Sequence, residues 1–221
     1  MSLAFAFRLL VAVACAAPAG ARAQGGGEDG WQLPAPRDRI VESLSEVAAR
    51  FGPDAVLLQA YLLNEALRSG SILETTVSAP DIDERSGRKY LALTLDSGLV
   101  FDDAKTDADE RVRLVWVHVV ERALKRQKTF RVPAEGIAVR VRYHHRRYRD
   151  EDELRRSLPT EGRGKLESVS FYLGLDDLHG FLADRLSAQQ LLDRSEVRLN
   201  GSPYRVRLRA PAGPEPPAPP G

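Results

Sequence analysis

The sequence predicts an α+β protein, a two-layer sandwich in which a βαββαβ sheet of about four to six strands is backed by helices and follows an N-terminal helical hairpin. Three stretches carry that expectation. Residues 89–95 alternate apolar and polar, residues 106–128 place apolar side chains at helical spacing, and residues 137–144 alternate again.

In the first stretch Leu91, Leu93 and Leu95 share one face, while Tyr90, Ala92 and Thr94 share the other. Asp96-Ser97-Gly98 reads as a turn, because these residue types suit turn dihedrals, and a short apolar piece follows at 99–101. Thr106 opens the helix, with Asp109 three residues on as its capping partner. Asp107, Asp109 and Glu110 complement the positive helix start, and Lys125, Arg126 and Lys128 the negative end. Val112, Val115, Trp116, Val119, Val120, Ala123 and Leu124 form the apolar stripe. Valine is a weak helix former, so tertiary burial has to stabilise this segment. After Pro133 and Gly136 the second strand puts Ile137, Val139, Val141 and Tyr143 on one face and Ala138, Arg140, Arg142 and His144 on the other. Strand, helix and strand in this order form a crossover unit.

Upstream, Asp38 caps a helix carrying Ile40, Val41, Leu44, Val47, Ala48 and Phe51. Gly52 interrupts, Pro53 suits the first position of the next helix, and Gly70 stops it. This second helix is apolar nearly all round, the pattern of a helix buried on several sides. Residues 71–79 suit an extra strand and 80–87 a polar turn. Downstream, Asp150 and Glu153 cap a short helix ended by Pro159, and residues 166–173 form a strand with Val169, Phe171 and Leu173 inward. A helix opens at Asp176 or Asp177 and restarts at the capping box Ser187–Gln190. Strands at 196–199 and 204–208 flank Asn200-Gly201, a favoured hairpin dipeptide. From residue 89 onward this is the split βαβ order of ferredoxin-like sandwiches. RNA-recognition modules share that layout, but the strand at 166–173 lacks their glycine and aromatic signature.

The chain divides into a signal peptide (1–23), a flexible leader (24–37), the helical hairpin (38–70), the α+β domain (71–209) and a Pro-rich disordered tail (210–221). Arg8 supplies the n-region charge, residues 9–17 the apolar core, and Ala21-Arg22-Ala23 the cleavage site. The expected address is the periplasm or beyond it; lipoprotein processing at Cys15 is the alternative. Net charge over 221 residues is +1, and loss of Arg8 and Arg22 leaves 30 basic against 31 acidic residues. That balance argues against a nucleic-acid binder. Cys15 is the single cysteine, and cleavage after Ala23 removes it, so no disulfide or thiol chemistry is expected.

The sharpest candidate site is a basic sheet face, collecting Arg140, Arg142, His144, Arg198, Arg205 and Arg207 with Tyr90 and Tyr172. Glu196 is the only carboxylate that the alternation adds to it. Guanidinium forks suit carboxylate, phosphate and sulfate groups, so the expected partner is an anionic glycan, a lipid headgroup or an envelope protein. His144 and His145 are adjacent on a strand and point to opposite faces, which disfavours joint chelation; no metal or cofactor is implied. No Gly-x-Ser-x-Gly, phosphate loop or zincin pair occurs. The leading expectation is therefore a non-enzymatic binding module of the bacterial cell envelope. One alternative is an envelope hydrolase pairing His118, His144 or His179 with a carboxylate. Another is an assembly protein acting through the apolar helix at 53–67.

Overall fold

Leu91, Leu93 and Leu95 are buried side by side with Ile137, Val139 and Val141, and with Val169, Phe171 and Leu173, on the inner face of one sheet. The computed structural model describes residues 36–69, 75–147 and 164–208. The signal peptide, residues 24–35 of the leader, the helix expected at 150–158 and the Pro-rich tail lie outside them, and the last two leader residues open the first helix. The sheet contains β1 (Thr76–Val77), β2 (Asp81–Arg85), β3 (Arg88–Asp102), β4 (Gly136–Arg146), β5 (Lys165–Gly174), β6 (Glu196–Leu199) and β7 (Ser202–Tyr204). Its order is β1-β3-β4-β5-β6-β7, with β2 also on β3. The β3–β4 pair is parallel and the other pairs are antiparallel. The α+β class and the mostly antiparallel open sheet agree with the sequence reading.

The strand order departs from the split βαβ pattern. A ferredoxin-like sheet would interpose a strand between β3 and β4, yet these two pair directly, Leu91 with Ile137 and Leu93 with Val139. The departure extends to residues expected to form only a polar turn. Asp81–Arg85 is a strand, joined to β3 through Ser86 (φ 51°) and Gly87 (φ 75°), and it takes the far edge of β3. Two positive φ values are the signature of the hairpin turn that matches strand twist. With that edge occupied, β6 pairs with β5 instead.

The inner face is covered by helices. Among them, α1 (Pro36–Phe51) and α2 (Pro53–Ser69) meet at Gly52, whose φ of 87° suits a residue without Cβ. Leu58, Leu62 and Ala66 of α2 are fully buried, as its all-round apolarity implies. The crossover helix α3 starts at Ala108–Val115, widens into a π-helical stretch at Trp116–Val120 and ends at Glu121–Lys125. Its N-cap is Asp107, which accepts from the Glu110 amide, rather than Thr106. All seven apolar residues expected on its stripe are buried, Trp116 against Phe171 with ring centroids 5.1 Å apart. Burying each such large side chain contributes about 1.5–3 kcal/mol, which offsets the weak helix propensity of the valines. Helices α4 (Leu175–Leu182) and α5 (Ala188–Arg194) complete the layer, and α5 opens with the Ser187–Gln190 capping box.

The last strand is shorter and earlier than expected. β7 ends at Tyr204, with Pro203 inside it, which an edge strand tolerates because its outer N–H has no ladder partner. Residues 206–208 are held instead by Gln189 of α5, which donates to the Val206 carbonyl and accepts from the Leu208 amide.

Candidate functional site

On the outer face the side chains form rows across the strands. Tyr90 lies over Gly136 and meets Tyr172 edge-on, with centroids 5.3 Å apart, and Ala92 and Ala138 join them in a small apolar cluster. A Cβ on Gly136 would sit 2.6 Å from the Tyr90 ring and 2.5 Å from the Leu173 carbonyl, so this close approach requires glycine. The two tyrosines are thus packed into the sheet rather than presented to a ligand. Burial, and then the Tyr172 hydroxyl's bond to Asp83 (3.1 Å), push the Tyr172 pKa upward.

The next rows hold three of the five expected arginines, each beside a carboxylate. Arg140 donates to Ser170 Oγ (3.2 Å) and lies 4.0 Å from Asp83. Arg142 forms a side-on fork with Asp96 through Nε and Nη2. Arg198 donates to Glu196 (2.6 Å), which also accepts from Arg85 (3.0 Å). Hydrogen bonding from Arg198 is the main cause that lowers the Glu196 pKa. The expectation that Glu196 is the only carboxylate on this face is therefore corrected. Asp83 belongs to a strand that its charged sequence concealed. Asp96 belongs to β3, which runs on through the anticipated turn. Arg205 and Arg207 are exposed but lie beyond β7, on the stretch tied to α5. They are not brought together with the other three arginines.

A bulge opens this face. Asp96 pairs with Arg142 and Val100 with His144, so four steps along β3 match two along β4. The excess is pinned by Ser97, which is fully buried, donates to the Arg142 carbonyl and accepts from the Leu99 amide. Bulges of this kind re-aim side chains and cluster beside functional sites. Here the result is a cleft of about 380 Å³ lined by Thr76, Asp96, Ser97, Gly98, Arg142, His144 and Leu166. Val100 and Leu166 flank His144 in register and are the large hydrophobic side chains exposed among the described residues. Of the candidates named from sequence, Arg142 and His144 reach this cleft. Asp96, Thr76 and Leu166, which also line it, and Val100 beside them in register were missed. The signal available for Leu166 was its phase: it is the one Leu on the outward side of the 166–173 alternation.

The histidines separate as strand geometry requires. His144 lines the cleft, whereas His145 Nδ1 lies 2.8 Å from Asp103 Oδ1 on the helix side. There Arg111 donates to Glu167 Oε2 (3.0 Å), Asp103 Oδ1 (3.0 Å) and the Thr106 carbonyl (2.9 Å). Tyr143 is buried beside this group. Burial, and then the Glu167 charge, raise its pKa far above the ordinary tyrosine range. His179 Nε2 lies 3.0 Å from the Phe130 carbonyl. His118, on the π-helical stretch, has its pKa lowered by burial and then by Arg122 and Arg113. Among the described residues no group of three or more His, Cys, Asp or Glu could hold a metal ion, and no helix is long and apolar enough to cross a membrane.

Comparison with known proteins gives no match to a family model, a curated protein or a solved structure.

Proposed function

We infer that this chain is a non-enzymatic binding module of the bacterial cell envelope, and that its ligand sits in the cleft opened by the β3 bulge. The observation that carries the reading is a convergence within one concavity. A guanidinium–carboxylate fork, an imidazole and the exposed Leu166 meet where the sheet is irregular, with Val100 beside them in register. Concave sites with a few polar groups set among apolar ones are the usual form of a ligand site. Export rests on the N-terminal leader pattern. The test is retention of the mature chain on columns bearing fractionated envelope extract. Arg142→Ala and Leu166→Asp are expected to release it. Retention unchanged in both variants removes the cleft as the binding site.

A second reading, an envelope hydrolase, draws on His145 and Asp103, which are joined at 2.8 Å. Asp103 also serves Arg111, and an Asp shared in that way orients a ring without needing it to catalyse. Hydrolysis of a broad ester and glycoside panel that disappears in His145→Gln would favour the enzyme over the binding module.

A further inference from the structure

We propose that the cleft takes a neutral, polyhydroxylated ligand, a saccharide, rather than a bare anion. The proposal rests on the cleft being the binding site and names the class of compound it accepts.

The fork decides the class. Its side-on geometry uses Nε and Nη2 of Arg142 and both oxygens of Asp96. Arg142 Nη1 keeps both of its hydrogens, and each Asp96 oxygen keeps a lone pair. Neither side chain takes part in any other hydrogen bond among the described residues. Spare donors of the guanidinium and spare acceptors of the carboxylate therefore lie together on one paired array, open to solvent at 43% and 36% side-chain exposure. A sugar hydroxyl donates and accepts at once, so a vicinal diol completes both halves of the array. A phosphate or carboxylate completes only the donors and is held against the Asp96 charge. To gain a side-on fork of its own it has to displace Asp96. The adjoining row gives it no help, because Arg140 already has Asp83 and Ser170.

The apolar shoulder agrees. Val100 and Leu166 stand one row beyond the fork, where they meet the C–H face of a pyranose while its hydroxyl edge meets Arg142 and Asp96. A wholly apolar ligand would leave that array unpaired, and an inorganic anion would leave the shoulder uncovered. The volume, about 380 Å³, lies near the lower end of ligand sites and suits one or two sugar residues at a time.

The experiment uses the full mature chain, ¹⁵N-labelled. It is titrated with inorganic phosphate, inorganic sulfate and a panel of neutral and acidic oligosaccharides first screened on a printed array. Neutral oligosaccharides are expected to shift the amides of Thr76, Gly98, His144 and Leu166. Asp96→Asn and Arg142→Gln are each expected to weaken binding by about 10- to 100-fold. Lys128→Ser, remote from the cleft, is expected to leave it unchanged. Asp96→Asn keeps the side-chain shape and guards against a folding artefact. If phosphate, sulfate or acidic glycans alone shift these amides, the neutral-saccharide assignment falls and the cleft stands as a site. If nothing in the panel moves them, both fall.

Discussion

Arg111–Glu167 and Arg142–Asp96 are the same chemical pair set on opposite faces of one sheet. The first is closed in by α3, β4 and β5, its side chains only 8% and 7% exposed. The second stands on the outer face at 43% and 36%. Burial converts one pair into a structural tie that cannot be broken cheaply, because either charge left alone is stranded from water. Exposure leaves the other nearly neutral for stability, and so free to be spent on a ligand. The same residue types therefore do different work, and the difference is set by what packs over them.

The largest expected effect tests the inner pair. Arg111→Ala leaves Glu167 buried without its guanidinium and should cost about 3–5 kcal/mol in denaturant unfolding. A cost below about 1 kcal/mol would mean that the two faces do not differ as described. Gly136→Ala comes next. Its new Cβ would press on Tyr90 and the Leu173 carbonyl, and overpacking of this kind costs about 1–3 kcal/mol. A neutral outcome would show that the far end of the outer face is as open as the cleft.

The faces should also separate by pH. Tyr143 and Tyr204 have folded pKa values raised by burial above the ordinary value of 10.0, Tyr204 also through its bond to Asp109. For a raised tyrosine, stability is full below the unfolded pKa. It falls as pH climbs past about 10, where the unfolded chain ionises first. Unfolding measured from pH 9 upward should show this loss, and Tyr204→Phe should flatten it. On the outer face the sign is reversed. Glu196 is lowered from 4.5 by Arg198, so its contribution is present above that value and fades as pH drops toward the folded pKa. Arg198→Gln should reduce that acid-side slope and leave the alkaline one unchanged.

The smallest effect completes the contrast. Asp96→Asn should change stability by less than about 1 kcal/mol, and the change should shrink further in high salt. A loss several times larger would mean that the outer fork holds the bulge together and is not free for a ligand.

The inner face was readable because burial on one side of a strand forces period two. Leu91 to Leu95, Ile137 to Tyr143 and Val169 to Leu173 each carried it, and α3 carried the helical period. The outer face was only half readable. The alternation placed Arg140, Arg142, Arg198 and His144 there correctly, but Asp96 looked like a turn residue and Asp81–Arg85 like a loop. An edge strand needs no apolar period, since its partner strand supplies the pairing. Arg205 and Arg207 continued a polar alternation past the point where the chain leaves the sheet for Gln189.

Composition and periodicity by themselves determined the α+β class, the buried stripe of α3 and the dry side of the sheet, because these follow from local residue order and the need to exclude water. Tertiary structure decided the strand order, the acid beside each outer-face arginine and the cleft. Those depend on which edge of β3 the β2 hairpin claims and on where β3 accommodates its extra residues against β4. Both are settled by competition among segments distant in sequence, which no single stretch of the chain records.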